Sequence, residues 1–258
     1  MSVGTQEQLV ARQFGAQAGA YLTSLVHAQG DDLAAIAAIV RERAAAGLGV
    51  RTLDLGCGGG HAAYAAAQHG ASVTAYDLSH EMLAVVAAEA ARRGLAIETV
   101  QGVVERLEFA DGAFDIVLSR YSAHHWRDFA AGVGEASRVL RSSGVAAFVD
   151  VVSPGRPALD TFLNAVELLR DTSHVQDRTV AEWLAAAAAA GLVAAGLMPA
   201  RLRLEFASWT ERIGTPAPLA TAIRVLQQAA SDAVAKHFAI EPDGSFTVDT
   251  ALLRFGKP

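Results

Sequence analysis

Short apolar runs alternate with longer segments of helical periodicity over the first two thirds of the chain. The apolar runs predict five strands, at residues 50–55, 72–76, 97–100, 114–119 and 145–152. The periodic segments predict helices at residues 61–69, 79–93 and 129–141. Ser79 has the side chain of an N-cap for the second of these helices. Because strands that alternate with helices are typical of a covered parallel sheet, we predict an α/β fold with a doubly wound sheet.

The last third of the chain follows a looser pattern, with two further helices predicted at residues 159–169 and 180–190. Leu202, Leu204 and Phe206 alternate with charged residues, as in a half-exposed strand. Residues 246–255 are predicted to form the last strand, so the mostly parallel sheet has seven strands.

The segment at residues 207–244 lies between the last two predicted strands and is too long for a hairpin loop. We interpret it as a helical cap inserted into the fold. Because no internal repeat or linker divides the sequence, we predict a single domain over residues 1–258.

Composition and charge narrow the classes of protein. The 258 residues are 52% hydrophobic and 19% charged, which excludes a disordered protein and allows a large core. The formal net charge of −6 argues against nucleic acid as a partner. A single cysteine cannot form an internal disulfide, and residues 1–14 lack the apolar run of a signal peptide. We therefore expect a cytoplasmic protein that is not inserted in a membrane.

A glycine cluster follows the first predicted strand, in the sequence Leu-Asp-Leu-Gly-Cys-Gly-Gly-Gly of residues 53–60. Glycines between a strand and a helix let the backbone turn sharply and approach a ligand closely. The dinucleotide fingerprint needs a third glycine where His61 stands, and a phosphate loop needs a lysine that is absent. The cluster indicates a ligand site but disfavours both of these forms.

Two carboxylates narrow the identity of the ligand. Asp54 would repel a pyrophosphate, whereas it can accept hydrogen bonds from a cationic ligand or its waters. Asp77 ends the second strand, 21 residues beyond Gly56, where a carboxylate holds the hydroxyls of a ribose. Together they describe a positively charged nucleoside without phosphates, and S-adenosylmethionine matches that description.

Three motifs carry a family resemblance: Asp54 to Gly60, Tyr76-Asp77-Leu78-Ser79 with Met82, and Ser-Arg-Tyr-Ser-Ala-His-His-Trp at residues 119–126. They resemble the motifs of class I S-adenosylmethionine-dependent methyltransferases, most closely the type 11 branch with its ubiquinone/menaquinone C-methyltransferase-like proteins. The resemblance implies a Rossmann-like fold with residues 48–153 as the cofactor-binding core. Residues 14–21 also resemble the segment that covers the cofactor in that branch, so we expect residues 1–47 to form a helical cover.

The resemblance also implies which residues bind S-adenosylmethionine. Asp77 would hold the ribose, Leu78 and Met82 would pack near the adenine, and Ser119 and Arg120 would face the methionine tail. The implied set is Tyr21, Asp54, Gly56, Cys57, Gly58, Asp77, Leu78, Met82, Val104, Glu105, Ser119 and Arg120. The family often has an aspartate that accepts from the adenine amino group where this chain has Val103. Adenine recognition would then depend on the backbone N–H of Val104.

Methyl transfer from a sulfonium depends on alignment and desolvation, and a base helps where the acceptor must lose a proton. We predict His124 as that catalytic base, with His125 and Tyr21 as alternatives. His61 and His69 are expected on helix surfaces. No metal is expected, because no cluster has the spacing of metal ligands.

The acceptor pocket is expected beside the loop of residues 124–126 and under the cap. Four side chains there could orient a substrate: Arg170, His174, Trp209 and Arg212. A capped and largely apolar chamber suits a small, hydrophobic organic acceptor. We therefore predict a methyltransferase, with a non-catalytic S-adenosylmethionine-binding protein and a less favoured nicotinamide-dependent reductase as alternatives. The oligomeric state stays open.

Overall fold

The computed structural model describes residues 5–15, 30–48 and 50–258 of the chain. One sheet holds seven strands: β1 (Arg51–Leu55), β2 (Ser72–Asp77), β3 (Ile97–Gln101), β4 (Phe114–Arg120), β5 (Leu140–Val151), β6 (Val193–Leu204) and β7 (Phe246–Gly256). Their order is β3-β2-β1-β4-β5-β7-β6. β7 runs antiparallel to both of its neighbours, and the other adjacent pairs are parallel. This mostly parallel, seven-stranded sheet confirms the predicted fold class.

Helices cover both faces of the sheet. In the described ranges they are α1 (Gln6–Gly15), α2 (Asp31–Ala45), α3 (His61–Ala67), α4 (His80–Arg93), α5 (Phe129–Val139), α6 (Pro157–Arg170), α7 (Val180–Ala189), α8 (Phe206–Glu211), α9 (Ala217–Gln228) and α10 (Asp232–His237). Neighbouring side chains of β4 point to opposite faces, as expected for a strand. Ile116 packs with α2, α3 and α4, whereas Val117 packs with α5 and α7. None of the helices in these ranges is long and apolar enough to cross a bilayer.

The local signals around α4 act as the sequence predicts. The Ser79 hydroxyl accepts a hydrogen bond from the N–H of Met82 at 3.2 Å, which satisfies one of the free donors of the first turn. Gly94 ends the helix with φ of 67°, a conformation that favours glycine. The Ser79 cap places the start of α4 directly after the carboxyl end of β2, and Gly94 sets its end.

Three strand boundaries differ from the prediction. β5 begins at Leu140 rather than Val145, since the preceding helix already ends at Val139. The other two are the ends of β6. β6 begins at Val193 rather than near Leu202, because its first half is an exposed edge that pairs only with β7 and needs no apolar alternation. Phe206 was expected in this strand, but it begins α8, where the Glu205 carboxylate accepts from the N–H groups of Ala207 and Ser208. The helix cap therefore ends the strand at Leu204, two residues earlier than the apolar pattern indicates.

The segment between β6 and β7 is helical, as predicted for the cap insert. It contains α8, α9 and α10, whose residues Trp209, Ile223 and Val234 are buried. They pack in one cluster with Leu159 and Leu163 of α6. The cap is thereby held beside the carboxyl end of β5.

Candidate functional site

The carboxyl ends of β1, β2 and β4 open on a first cavity of about 1000 Å³. Side chains of α1, among them Gln6, Val10 and Phe14, line it from the other side. Ten residues expected to bind the cofactor line this cavity: Asp54, Gly56, Cys57, Gly58, Asp77, Leu78, Met82, Val104, Glu105 and Arg120. The structure therefore brings together residues that lie on several separate segments of the sequence. Tyr21 lies outside the described residues.

In the glycine loop that follows β1, Gly56 and Gly58 adopt backbone conformations that favour glycine. Gly56 has φ of 63°, and a Cβ there would collide with the Ser122 side chain. Gly58 has φ of 49°, and a Cβ on it would meet no atom within 4 Å, since the residue faces the cavity. The loop is tied to the next strand because the N–H groups of Gly56 and Cys57 donate to the Tyr76 carbonyl. The backbone is thus held open to a ligand.

Asp54 is a carboxylate that is only 1% exposed. Among the described residues, neither of its oxygens makes a hydrogen bond of normal geometry, and the nearby backbone N–H of Ala63 offsets only part of the effect of burial. Burial, together with repulsion from Asp77, raises the pKa of Asp54 to about 7. A buried and unpartnered carboxyl on a cavity wall is suited to a ligand that supplies a donor or a positive charge.

Asp77 stands at the end of β2 and is already oriented by the backbone. Its carboxylate accepts from the N–H of Gly58 at 2.8 Å and from the N–H of Ser79 at 2.9 Å. Burial raises the pKa of Asp77, although these two hydrogen bonds favour the ionised form. Each oxygen keeps a lone pair for a further donor.

The two residues that end β4 differ from each other. Arg120 lines the first cavity and forms an ion pair with Asp32 of α2. Ser119 is 2% exposed and is absent from the cavity lining, so the structure does not place it beside the predicted methionine tail. Its hydroxyl has no hydrogen-bond partner among the described residues.

A second cavity of about 600 Å³ lies next to the first. Phe14, Tyr121 and His125 line both cavities, so we call these three residues the shared wall. Tyr121 has φ of 52°, a strained conformation for a residue with a side chain, and such strain is typical of functional sites. The shared wall lies between the glycine loop and the region under the cap, at the place where the two cavities adjoin.

The second cavity contains three of the four side chains expected around the acceptor: Arg170, Trp209 and Arg212. Glu167 and Asp177 also line it, and sequence reasoning missed both. The cavity is therefore more charged than the largely apolar chamber that was predicted, with Val151, Leu202 and Leu204 as its aliphatic part.

His124 lines the second cavity but not the first. Its Nδ1 lies 2.6 Å from Oδ1 of Asp150, at the end of β5. Burial by itself would lower the pKa of His124, but the Asp150 carboxylate raises it to about 9. The predicted base is therefore an imidazolium near neutral pH in this structure.

His125 lines both cavities and stays neutral. Its Nδ1 lies 3.2 Å from the carbonyl oxygen of Ser173, and its Nε2 lies 3.7 Å from Oδ2 of Asp171. Burial lowers the pKa of His125 to about 4, and the positive charge of His124 acts in the same direction. Of the two histidines in the motif, the geometry therefore favours His125 as a proton acceptor.

The other candidate side chains are placed as follows. His174 packs against His124 with ring centroids 5.7 Å apart, and burial lowers the pKa of His174. His61, expected on a helix surface, stands at the first position of α3 and lines the first cavity. Burial raises the pKa of the Cys57 thiol, which makes a thiolate nucleophile unfavourable there.

Asp150 and Asp171, which lie beside the two histidines, could not be assigned from the histidine motif alone, because they lie on other segments of the chain.

The chain is similar to bacterial proteins of known sequence and structure. A family model described as a methyltransferase domain matches residues 53–148. The chain is 48% identical to the uncharacterised protein YafE of Escherichia coli over 195 residues, which are 75% of this chain and 94% of YafE. It is 36% identical to the uncharacterised methyltransferase YcgJ of Bacillus subtilis over 205 residues, 79% of either chain. The crystal structure of YcgJ aligns with a TM-score of 0.83 at 33% identity, over 88% of this chain and 98% of YcgJ.

Proposed function

The chain belongs to the class I S-adenosylmethionine-dependent methyltransferases, and on that premise we propose that it methylates a small organic acceptor held in the second cavity. The shared wall carries this proposal. A cofactor in the first cavity and an acceptor in the second would meet at Phe14, Tyr121 and His125, which line both. Such a layout aligns two reactants and excludes water between them, which are the main requirements of this transfer.

The residues of the first cavity fit S-adenosylmethionine. Asp54 offers an unpartnered buried carboxylate to a positively charged ligand, and Gly58 leaves open space above the loop. Asp77 is proposed to hold the ribose hydroxyls, because its remaining lone pairs face the same cavity. Leu78 and Met82 would contact the adenine.

Adenine recognition is proposed to use the backbone where this chain lacks the aspartate common in the family. Within the described part of the chain, the Val104 N–H donates to no other residue, and Val104 lines the first cavity. It is therefore available to a ring nitrogen of the base. Val103 stands where the family often has that aspartate, and its carbonyl accepts a hydrogen bond from the Tyr76 hydroxyl at 3.2 Å.

The bound cofactor supplies a methyl group on an already activated sulfonium. The chain is proposed to supply alignment, a dry environment and a place for the proton that some acceptors must lose. His125 is the histidine of the loop that lines both cavities, whereas His124 reaches the second cavity as an ion pair with Asp150. We therefore assign proton acceptance to His125 rather than His124.

The acceptor is proposed to be polar at one end and apolar at the other. Glu167, Arg170 and Asp177 lie on the same cavity as the aliphatic side chains of Leu202 and Leu204. Buried charged groups favour a ligand that completes their hydrogen bonds. A small molecule fits a cavity of about 600 Å³, whereas a macromolecule does not.

Isothermal titration calorimetry tests the cofactor site. The protein should bind S-adenosylmethionine and S-adenosylhomocysteine and should not bind NADH. Asp77→Ala should weaken S-adenosylmethionine binding by more than about tenfold, because the ribose hydroxyls lose a charged acceptor. Asp111→Ala, at a carboxylate that is 82% exposed, serves as the matched control and should bind like the wild type. An unchanged affinity in Asp77→Ala would remove Asp77 from the ribose role.

A further inference from the structure

Two histidine–aspartate pairs stand side by side at the shared wall. His124 faces Asp150, and His125 faces Asp171. The two imidazole centroids are 4.3 Å apart. Two positive charges at that separation in a buried site repel strongly, so the arrangement favours a state in which one ring is protonated and the other is neutral.

The hydrogen bonds decide which ring carries the charge. His124 Nδ1 lies 2.6 Å from Asp150 Oδ1, a distance typical of a charge-assisted hydrogen bond. The N–H groups of Ala123 and Val151 each donate to this carboxylate at 2.9 Å and hold it in place beside His124. His125 Nε2 lies 3.7 Å from Asp171, beyond hydrogen-bond distance. The pair with the shorter contact holds the proton.

The tautomer of His125 follows from its other contact. The Ser173 carbonyl oxygen can only accept, so the hydrogen of a neutral His125 lies on Nδ1, 3.2 Å away. The same carbonyl accepts from Gln6 Nε2 of α1 at 2.6 Å, which fixes its position. The lone pair of His125 therefore lies on Nε2.

We propose that the buried imidazolium of His124 is a fixed positive charge that keeps His125 neutral, so that His125 Nε2 can accept a proton at the shared wall. This deepens the proposed function, on which it rests, and makes His124 a positioning residue. His125 Nε2 takes the acceptor's proton while the acceptor atom bonds the methyl carbon and the electron pair of the broken carbon–sulfur bond stays on sulfur. The acceptor class is then a hydroxyl or an acidic C–H rather than an atom without a proton.

Asp171 lies beside Nε2 of His125. Its Oδ1 accepts from the N–H and the hydroxyl of Ser173, whereas its Oδ2 is buried and has no partner among the described residues. A proton on His125 Nε2 would give that oxygen its donor after a shift of a few tenths of an ångström. Among the described residues, Glu167 and Asp177 also act on His124 through their charges. His174 lies beside both rings, and their charges act on it together with that of Arg170.

Long-range nitrogen–proton NMR of the histidine rings tests the proposal without an acceptor. In protein saturated with S-adenosylhomocysteine, His124 should show two protonated nitrogens from pH 6 to 8. His125 should show a protonated Nδ1 and a free Nε2 over the same range. A neutral His124 at pH 7, or a doubly protonated His125, would overturn the proposal.

His124→Asn gives the second readout, because the amide keeps a donor near Asp150 and removes the charge. The pKa of His125 should rise by about three pH units, as expected for the loss of a unit charge at this distance with an effective dielectric constant of about 20. His80→Asn, at an exposed histidine, is the matched control and should leave it unchanged. A constant His125 pKa in His124→Asn contradicts the proposal, whereas loss of S-adenosylhomocysteine binding by the wild type would instead contradict the proposed function.

Discussion

Asp54 combines three properties that seldom occur in one side chain: it is buried, it lacks a hydrogen-bond partner among the described residues, and it lies on a cavity wall. Burial is the main reason that the pKa of its carboxyl rises to about 7. With this pKa the carboxyl carries a proton in about half of the ligand-free molecules at pH 7, and a positively charged ligand would displace it. At the scale of the residue, we therefore propose that cofactor binding and proton release are coupled.

The affinity for S-adenosylmethionine should therefore depend on Asp54 and on pH. The ionised form binds the cation better, so the affinity should rise by about tenfold as the pH increases from 6 to 8. Asp54→Asn cannot ionise and should lack this component, which calorimetry at pH 6, 7 and 8 would measure as the difference from the wild type. Equal pH dependence in the two proteins would show that Asp54 does not sense the bound charge.

At the scale of the element, α4 is the helix whose limits were predicted most closely, because both of its ends carry local signals. Ser79 caps its start, and Gly94 adopts the left-handed conformation at its end. β6 shows the opposite case. Its first half contains small residues and Pro199 on an exposed edge, so neither apolar alternation nor strand propensity marked it. Its partner β7, buried between two strands, was predicted almost to its last residue.

Ser79→Ala should lower the free energy of unfolding by about 1 kcal/mol, because the first turn of α4 loses the hydroxyl that accepts from Met82. Urea unfolding without cofactor measures the change. Thr221→Ala, at an exposed position inside α9, should stay within about 0.5 kcal/mol of the wild type. Equal stability of Ser79→Ala and Thr221→Ala would mean that the cap hydrogen bond contributes nothing.

At the scale of the whole molecule, the first cavity could be predicted from the sequence to a far greater extent than the second. Its residues follow strand ends in recognisable motifs, as Asp54 and Asp77 do. The second cavity is assembled from α1, the loop after β4, the end of β5, α6, β6 and the cap, which meet only in the folded chain. The sequence could have indicated that Asp150 lies near the histidine loop, since β5 is the neighbour of β4 and the carboxyl ends of parallel strands meet. No sequence pattern indicates the position of Asp171, because it lies on a connecting segment.

The protonation state of His124 should also affect the stability of the whole fold. Its pKa is about 9 in the folded protein and about 6.5 in an unfolded chain. Between pH 6.5 and pH 9 the folded chain therefore binds a proton on His124 that the unfolded chain has lost. The resulting stabilisation is complete below pH 6.5 and is lost as the pH rises through 9.

Urea unfolding at pH 6.5 and pH 9 measures this effect. The wild type should lose more unfolding free energy between the two pH values than His124→Asn, whereas His80→Asn should follow the wild type. An identical loss in wild type and His124→Asn would contradict the charged state assigned to His124.

The cap enters the chain as one insertion between β6 and β7, about sixty residues beyond the segment matched by the methyltransferase family model. Trp209 of the cap and Arg212 beside it reach the second cavity, while the glycine loop is built entirely from earlier residues. Part of the proposed acceptor cavity is thus encoded apart from the proposed cofactor site. A duplicated copy could exchange its cap and acquire a new acceptor while it inherits the methyl-transfer apparatus unchanged.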